Sequence, residues 1–166
     1  MTIEMTESKE PKVIKANYML QNKVGAGPLD RNAVDRCQDV MDNNDVDFAP
    51  LGMEYLNKLK EAIDKTKSGD LTKDQAVQAM TEPVMQLKAN AATFRYTLIG
   101  NLANVMLSFL EAVSEIDKVV IEIVDAHYKT LTAIVMKKMQ GDGGAAGKQM
   151  EEELKAACKR YFTSKN

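Results

Sequence analysis

Apolar residues recur at three- and four-residue intervals through most of the chain after residue 50. In the first such run Leu51, Tyr55, Leu56, Leu59, Ala62 and Ile63 mark one face of a helix that starts near Pro50 and is stopped by Ser68-Gly69. Thr72, with Gln75 three positions on, has the form of a capping box and opens a second helix running to about Phe94. Pro83 lies inside it, and its missing N–H and bulky ring predict a kink or a split near Thr81. A third helix is predicted from about Tyr96 to Ser114, with Leu98, Leu102, Val105, Met106, Phe109, Leu110 and Val113 on a wide apolar stripe. A fourth covers Asp117 to Gln140, where Val120, Val124, Leu131 and Val135 repeat along one side and Ile123, Ile134 and Met139 widen it.

Four amphipathic helices with short connections pack most simply as an antiparallel four-helix bundle, so the fold class expected is all-α, with extra helices at both ends. Asp30 is placed to cap a short helix over Ala33–Met41, ended by Asp42-Asn43-Asn44-Asp45. Three regions follow: an N-terminal arm over 1–28, the bundle over 29–140, and a Gly-rich link with a final helix over 141–166. The arm contains the Gly25–Pro28 run, and its Val13, Ile14, Tyr18, Met19 and Leu20 suggest that part of it packs on another surface. Gly141–Gly147 reads as a flexible link, and the last helix, Lys148–Phe162, turns Met150, Leu154, Ala157, Cys158 and Tyr161 inward or toward a partner.

Composition narrows the function classes. The 166 residues are 45% hydrophobic and 28% charged, and 5% aromatic content with no Trp and 11 Met points to aliphatic helix packing. A net charge of -2 argues against nucleic acid or an anionic membrane as partner and favours another protein. Leu98–Val113, the most apolar stretch, is too short and too polar to span a membrane, and the acidic start of the chain does not look like a signal peptide. A cytoplasmic protein with reduced thiols at Cys37 and Cys158 is expected.

The stretch Met85-Gln86-Leu87-Lys88-Ala89-Asn90-Ala91-Ala92-Thr93-Phe94 resembles the central helix of histidine-containing phosphotransfer domains, whose pattern is His-x-Leu-Lys-Gly-Ser-Ala followed by a small and an apolar residue. Leu87 and Lys88 match, Asn90 stands where Ser is usual, and Ala91, Ala92 and Phe94 keep the small and apolar positions. Met85 replaces the phosphoryl-accepting His, Ala89 replaces Gly, and Arg95 stands where a Gly usually follows, which puts the turn into the next helix in question. The match is specific over about ten residues; over 48–140 it rests on helix order and spacing alone. A fainter resemblance, to phosphotransfer-like proteins encoded in alphaproteobacterial chemotaxis clusters, runs through Asp47–Pro50, Ala91–Tyr96 and Val124–His127.

Helical geometry selects the same surface without the family. At about 100° per residue Val84, Leu87, Ala91 and Phe94 form the buried seam, and Met85 points the other way with Thr81, Glu82, Lys88, Ala89 and Ala92 around it. An exposed, polarisable Met among small side chains suits a protein-docking surface; the alternative is that the N-terminal arm or the last helix covers this patch as ordinary core. The resemblance implies a receiver domain of a response regulator or a histidine kinase as partner, in two-component or chemotaxis signalling. A thioether lacks the nucleophilic chemistry of imidazole, so the expectation is a non-catalytic pseudo-phosphotransfer protein with no cofactor.

Two alternatives stand beside it. One is phosphotransfer through His127, the only histidine, which sits at the margin of an apolar stripe where a half-buried, hydrogen-bonded role is commoner; Asp125, two residues away, points elsewhere. The other is a self-associating bundle with the Met85 face as homodimer seam. The Asp42–Asp47 run lacks the Gly and Glu of a calcium loop, the glycines at 141–144 follow no strand, and two isolated cysteines with one histidine do not make a zinc site.

Overall fold

The computed structural model describes residues 17–165, apart from 26, 29, 44 and 45 and the side chains of Leu20 and Val24. Within them are seven α-helices and no strand, so the chain is all-α. They divide into two compact units, one ending at Asn44 and one beginning at Asp45.

The first unit holds α1 (Met19–Val24) and α2 (Arg31–Asp42). Asp30 caps α2 as its sequence suggests, its carboxylate accepting the Asn32 N–H at 3.0 Å. None of the unit's described side chains is buried. The expected packing of the arm is therefore not met where it is described: Tyr18 and Met19 are exposed, while Val13 and Ile14, like the side chain of Leu20, lie outside the described residues.

The second unit holds α3 (Ala49–Ser68), α4 (Lys73–Thr93), α5 (Thr97–Ala112), α6 (Lys118–Met136) and α7 (Gly144–Lys165). Helix α3 packs on α4 and α6, α4 on α5, and α5 on α6, so the contacts among α3–α6 close a ring; α7 lies against α5 and α6. Apolar faces of all five meet in one core, in which Leu56, Ile63, Met80, Leu87, Ile99, Leu102, Met106, Val124, Leu131 and Ile134 are fully buried. Phe48 closes one end, its ring 5.1 Å from Phe94 and 4.9 Å from Tyr96.

The stops and starts follow local chemistry. Gly69 ends α3 in the left-handed region (φ 80°), which a residue without Cβ adopts at little cost. Asp117 starts α6 by accepting the Val120 N–H at 2.9 Å. That helix ends at Met136, four residues before the predicted Gln140, because Lys138 turns left-handed (φ 50°) while its ammonium pairs with Asp47 at 3.0 Å. No flexible link separates it from α7. The Gly141–Gly147 segment makes a hydrogen-bonded turn, with Gly144 N–H donating to Asp142, and α7 already begins at Gly144. Gly147 is buried there; a Cβ on it would collide with the Asp142 carbonyl oxygen and press on Leu98. Gly143 and Gly147 serve close packing, while Gly141 and Gly144 supply the positive φ of the turn (73° and 59°).

Among the described residues no helix is long and apolar enough to cross a membrane.

Candidate docking surface on helix α4

Helix α4 starts with both halves of its capping box in place: the Gln75 N–H donates to the Thr72 hydroxyl, and the Gln75 side chain accepts the Thr72 N–H at 3.0 Å. Asp74 in the first turn adds a charge favourable to the helix dipole. The helix runs unbroken through Pro83, so the split expected near Thr81 does not occur. Pro83 is itself buried, and the packing of α3 and α5 on this helix offsets the one backbone hydrogen bond that proline removes.

Val84, Leu87 and Ala91 are fully buried along the predicted seam, and Phe94 is half-buried against Phe48. On the opposite side Met85 is 55% exposed. Glu82, Ala89 and Ala92 are exposed around it, whereas Thr81 and Lys88 are half-buried on the flank. Within the second unit α7 does not turn this patch into core, since Met85 keeps more than half of its surface. The Thr81 hydroxyl oxygen is buried without a hydrogen-bond partner. Lys88 makes no ion pair among the described residues, leaving one uncompensated cation a turn from the methionine.

Sequence reasoning on α4 alone missed the contribution of α3. A groove of about 400 Å3 runs between the two helices, with Tyr55, Lys58 and Lys65 from α3 facing Glu82, Pro83 and Gln86 from α4. Lys58 is held above the ordinary lysine range, first by its 2.7 Å hydrogen bond to Glu54 and last by Glu82 across the groove. Asn90 donates to the Gln86 carbonyl at 2.9 Å and reaches the Tyr55 hydroxyl at 3.4 Å. The spacing of Tyr55, Lys58 and Ala62 carried the signal for this wall, but only the pairing of α3 with α4 sets it opposite Glu82, Pro83 and Gln86.

His127 belongs elsewhere. It is completely buried on α6, deeper than the half-burial its stripe position suggests, with Nδ1 at 2.9 Å from the Ile123 carbonyl oxygen. That contact makes Nδ1 the protonated nitrogen and leaves Nε2 as an acceptor without a partner. Burial holds its pKa below the ordinary 6.5, opposed by the bond to Ile123. Asp125, two residues away, instead pairs with Lys129 at 2.7 Å and Lys67 at 3.5 Å. Among the described residues no three His, Cys, Asp or Glu side chains gather to hold a metal ion.

The surface around Met85 thus presents a thioether, two alanine methyl groups, a carboxylate and an ammonium. Polarisable and small groups lie at its centre and charges at its edge. No protein-family model, no curated protein and no solved structure matches the chain.

Proposed function

We propose that the chain is a non-catalytic, cytoplasmic pseudo-phosphotransfer protein that docks a response-regulator receiver domain or a histidine kinase in two-component or chemotaxis signalling. The exposure of Met85 carries this reading. At the place where the resembling family has its phosphoryl-accepting His, this chain has a side chain that reaches solvent yet carries no phosphate. The closed ring of contacts among α3–α6 supports the same likeness. Lys88, unpaired at the edge, supports a partner with an acidic rim around its own reactive site.

The burial of His127 weighs against phosphotransfer through that residue, because a phosphoryl donor has no path to an imidazole sealed between helices. Binding without transfer is the consistent outcome.

The test is calorimetry with receiver domains and kinases encoded in the same genome, comparing the wild-type chain with Met85→Arg. Binding by wild type that weakens about tenfold or more in the variant is the expected result. Equal binding by both chains removes the Met85 face from the interaction, and no binding by either removes the reading.

A further inference from the structure

Helix α2 carries an apolar face that stays exposed among the described residues. Val34, Cys37 and Met41 lie in line at three- and four-residue spacing, with Val40 beside them; Val34 is 50%, Met41 54% and Val40 75% exposed. A twelve-residue helix of this kind is marginal in water by itself and gains its stability by burying such a stripe. From Asp30 to Asp42 the segment carries four aspartates against two arginines, an acidic excess.

The bundle carries a complementary feature. Between α5 and α7 lies an open, mostly apolar groove of about 380 Å3, lined by Val105 and Phe109 on one side and Cys158 and Phe162 on the other, with Lys155 at its rim. From Leu154 onward α7 holds Lys155, Lys159, Arg160 and Lys165 and no acidic residue. Lys159 and Arg160 are exposed on α7 and line a separate outer groove with Ala156, Thr163 and Ser164. The dimensions agree: Val34 to Met41 and Lys155 to Phe162 each span seven residues, about 10 Å of helix.

We infer that α2 of one copy of this chain docks its Val34–Cys37–Met41 face into the α5–α7 groove of a second copy. The occupant is set by the match of an acidic amphipathic helix to an apolar groove whose rim carries Lys155, ion-paired with Glu151, and the exposed Lys159 one turn further on. Each copy offers one helix and one groove, so a two-fold pair fills both at once and leaves no open end for further growth. The Met85 face takes no part and stays available for a different protein.

Sedimentation velocity on the full chain across a concentration series tests this, at low and at high salt. Wild type is expected to form a reversible dimer that salt weakens. Val34→Asp combined with Met41→Asp is expected to be monomeric while keeping the wild-type circular dichroism of the bundle, since α2 contributes no buried side chain. Lys155→Glu combined with Lys159→Glu is expected to raise the dimer dissociation constant about tenfold or more. A mixture of these two doubly substituted chains retains one intact helix–groove contact and is expected to give a heterodimer. Met85→Arg is expected to dimerise as wild type does. A wild type that stays monomeric, groove variants that dimerise like wild type, a mixture that gives no heterodimer, or a dimer lost in Met85→Arg would each overturn the inference.

Discussion

At residue 127 an imidazole sits where no water reaches it, with one nitrogen bonded to the Ile123 carbonyl and the other bare. The folded state binds a proton there less readily than the unfolded chain, whose histidine titrates near 6.5. Its contribution to stability is therefore complete above that pH and is lost as pH falls through it, because the unfolded state takes up the proton first. Urea unfolding at about pH 7.5 and about pH 5.5 is expected to show a loss of stability in wild type that is smaller in His127→Leu; equal losses in the two chains would show that another group dominates. Residue-level signals differed in how readily they could be read. The seam of Val84, Leu87 and Ala91, and with it the outward direction of Met85, follows from helical spacing alone. The depth of His127 does not, because the position at the edge of a stripe becomes central only once α3 and α7 pack beside α6. Arg95 shows the same limit in another form. It departs from the glycine of the resembling pattern, yet it takes the left-handed conformation (φ 61°) that glycine would supply, so the turn between α4 and α5 survives the substitution. What holds it is remote in sequence: the Arg95 carbonyl accepts the Gly141 N–H at 2.6 Å, and the Gly141 carbonyl accepts the Leu98 N–H at 2.9 Å.

Helix boundaries repeat that lesson. Capping signals were legible where they are local, as at Asp30 and Thr72, since donor and acceptor are two or three residues apart. The start of α7 was not, because glycines in sequence look like flexibility and only the fold shows them filling a narrow space. Gly147 faces both Leu98 and the Asp142 carbonyl, and the second of these cannot move aside without undoing the turn. Gly147→Ala is expected to destabilise the bundle by about 1–3 kcal/mol, the range for overpacking a tight site. The far end of α7 is tied independently, Lys165 bridging Glu115 and Asp117 while the Tyr161 hydroxyl donates to Asp117 at 3.3 Å. A shift of the urea midpoint in Gly147→Ala too small to measure would mean that the turn yields. The ion pairs within α3, Lys58–Glu54 and Lys60–Asp64, are exposed one-turn contacts of the kind that contribute little.

For the whole molecule, the division of labour between the two units is plain in where burial falls. Every buried apolar residue, from Phe48 to Tyr161, lies in the second unit, while the described part of the first has none. The all-α class and the order of the bundle helices were legible because each helix carries its own apolar period. The boundary near residue 45 was not, since Asp42–Asp47 reads equally as a helix end or as a linker. A chain of residues 45–166 is expected to unfold cooperatively with a midpoint within about 3 °C of the full-length chain at dilute protein, as calorimetry would show; a much lower midpoint would place part of the stabilising contacts before residue 45. The proposed docking through Met85 and the proposed self-pairing through α2 use different residues, so each can be abolished by substitution without touching the other.

The alanines beside Met85 set a clearance. With only methyl groups at 89 and 92, an approaching helix meets the α4 backbone at the short end of the 8–10 Å range of interaxial distances. Any larger side chain at either position would act as a spacer, holding a visitor off before its surface reached the sulfur, so these two residues work as a gauge of fit by being small.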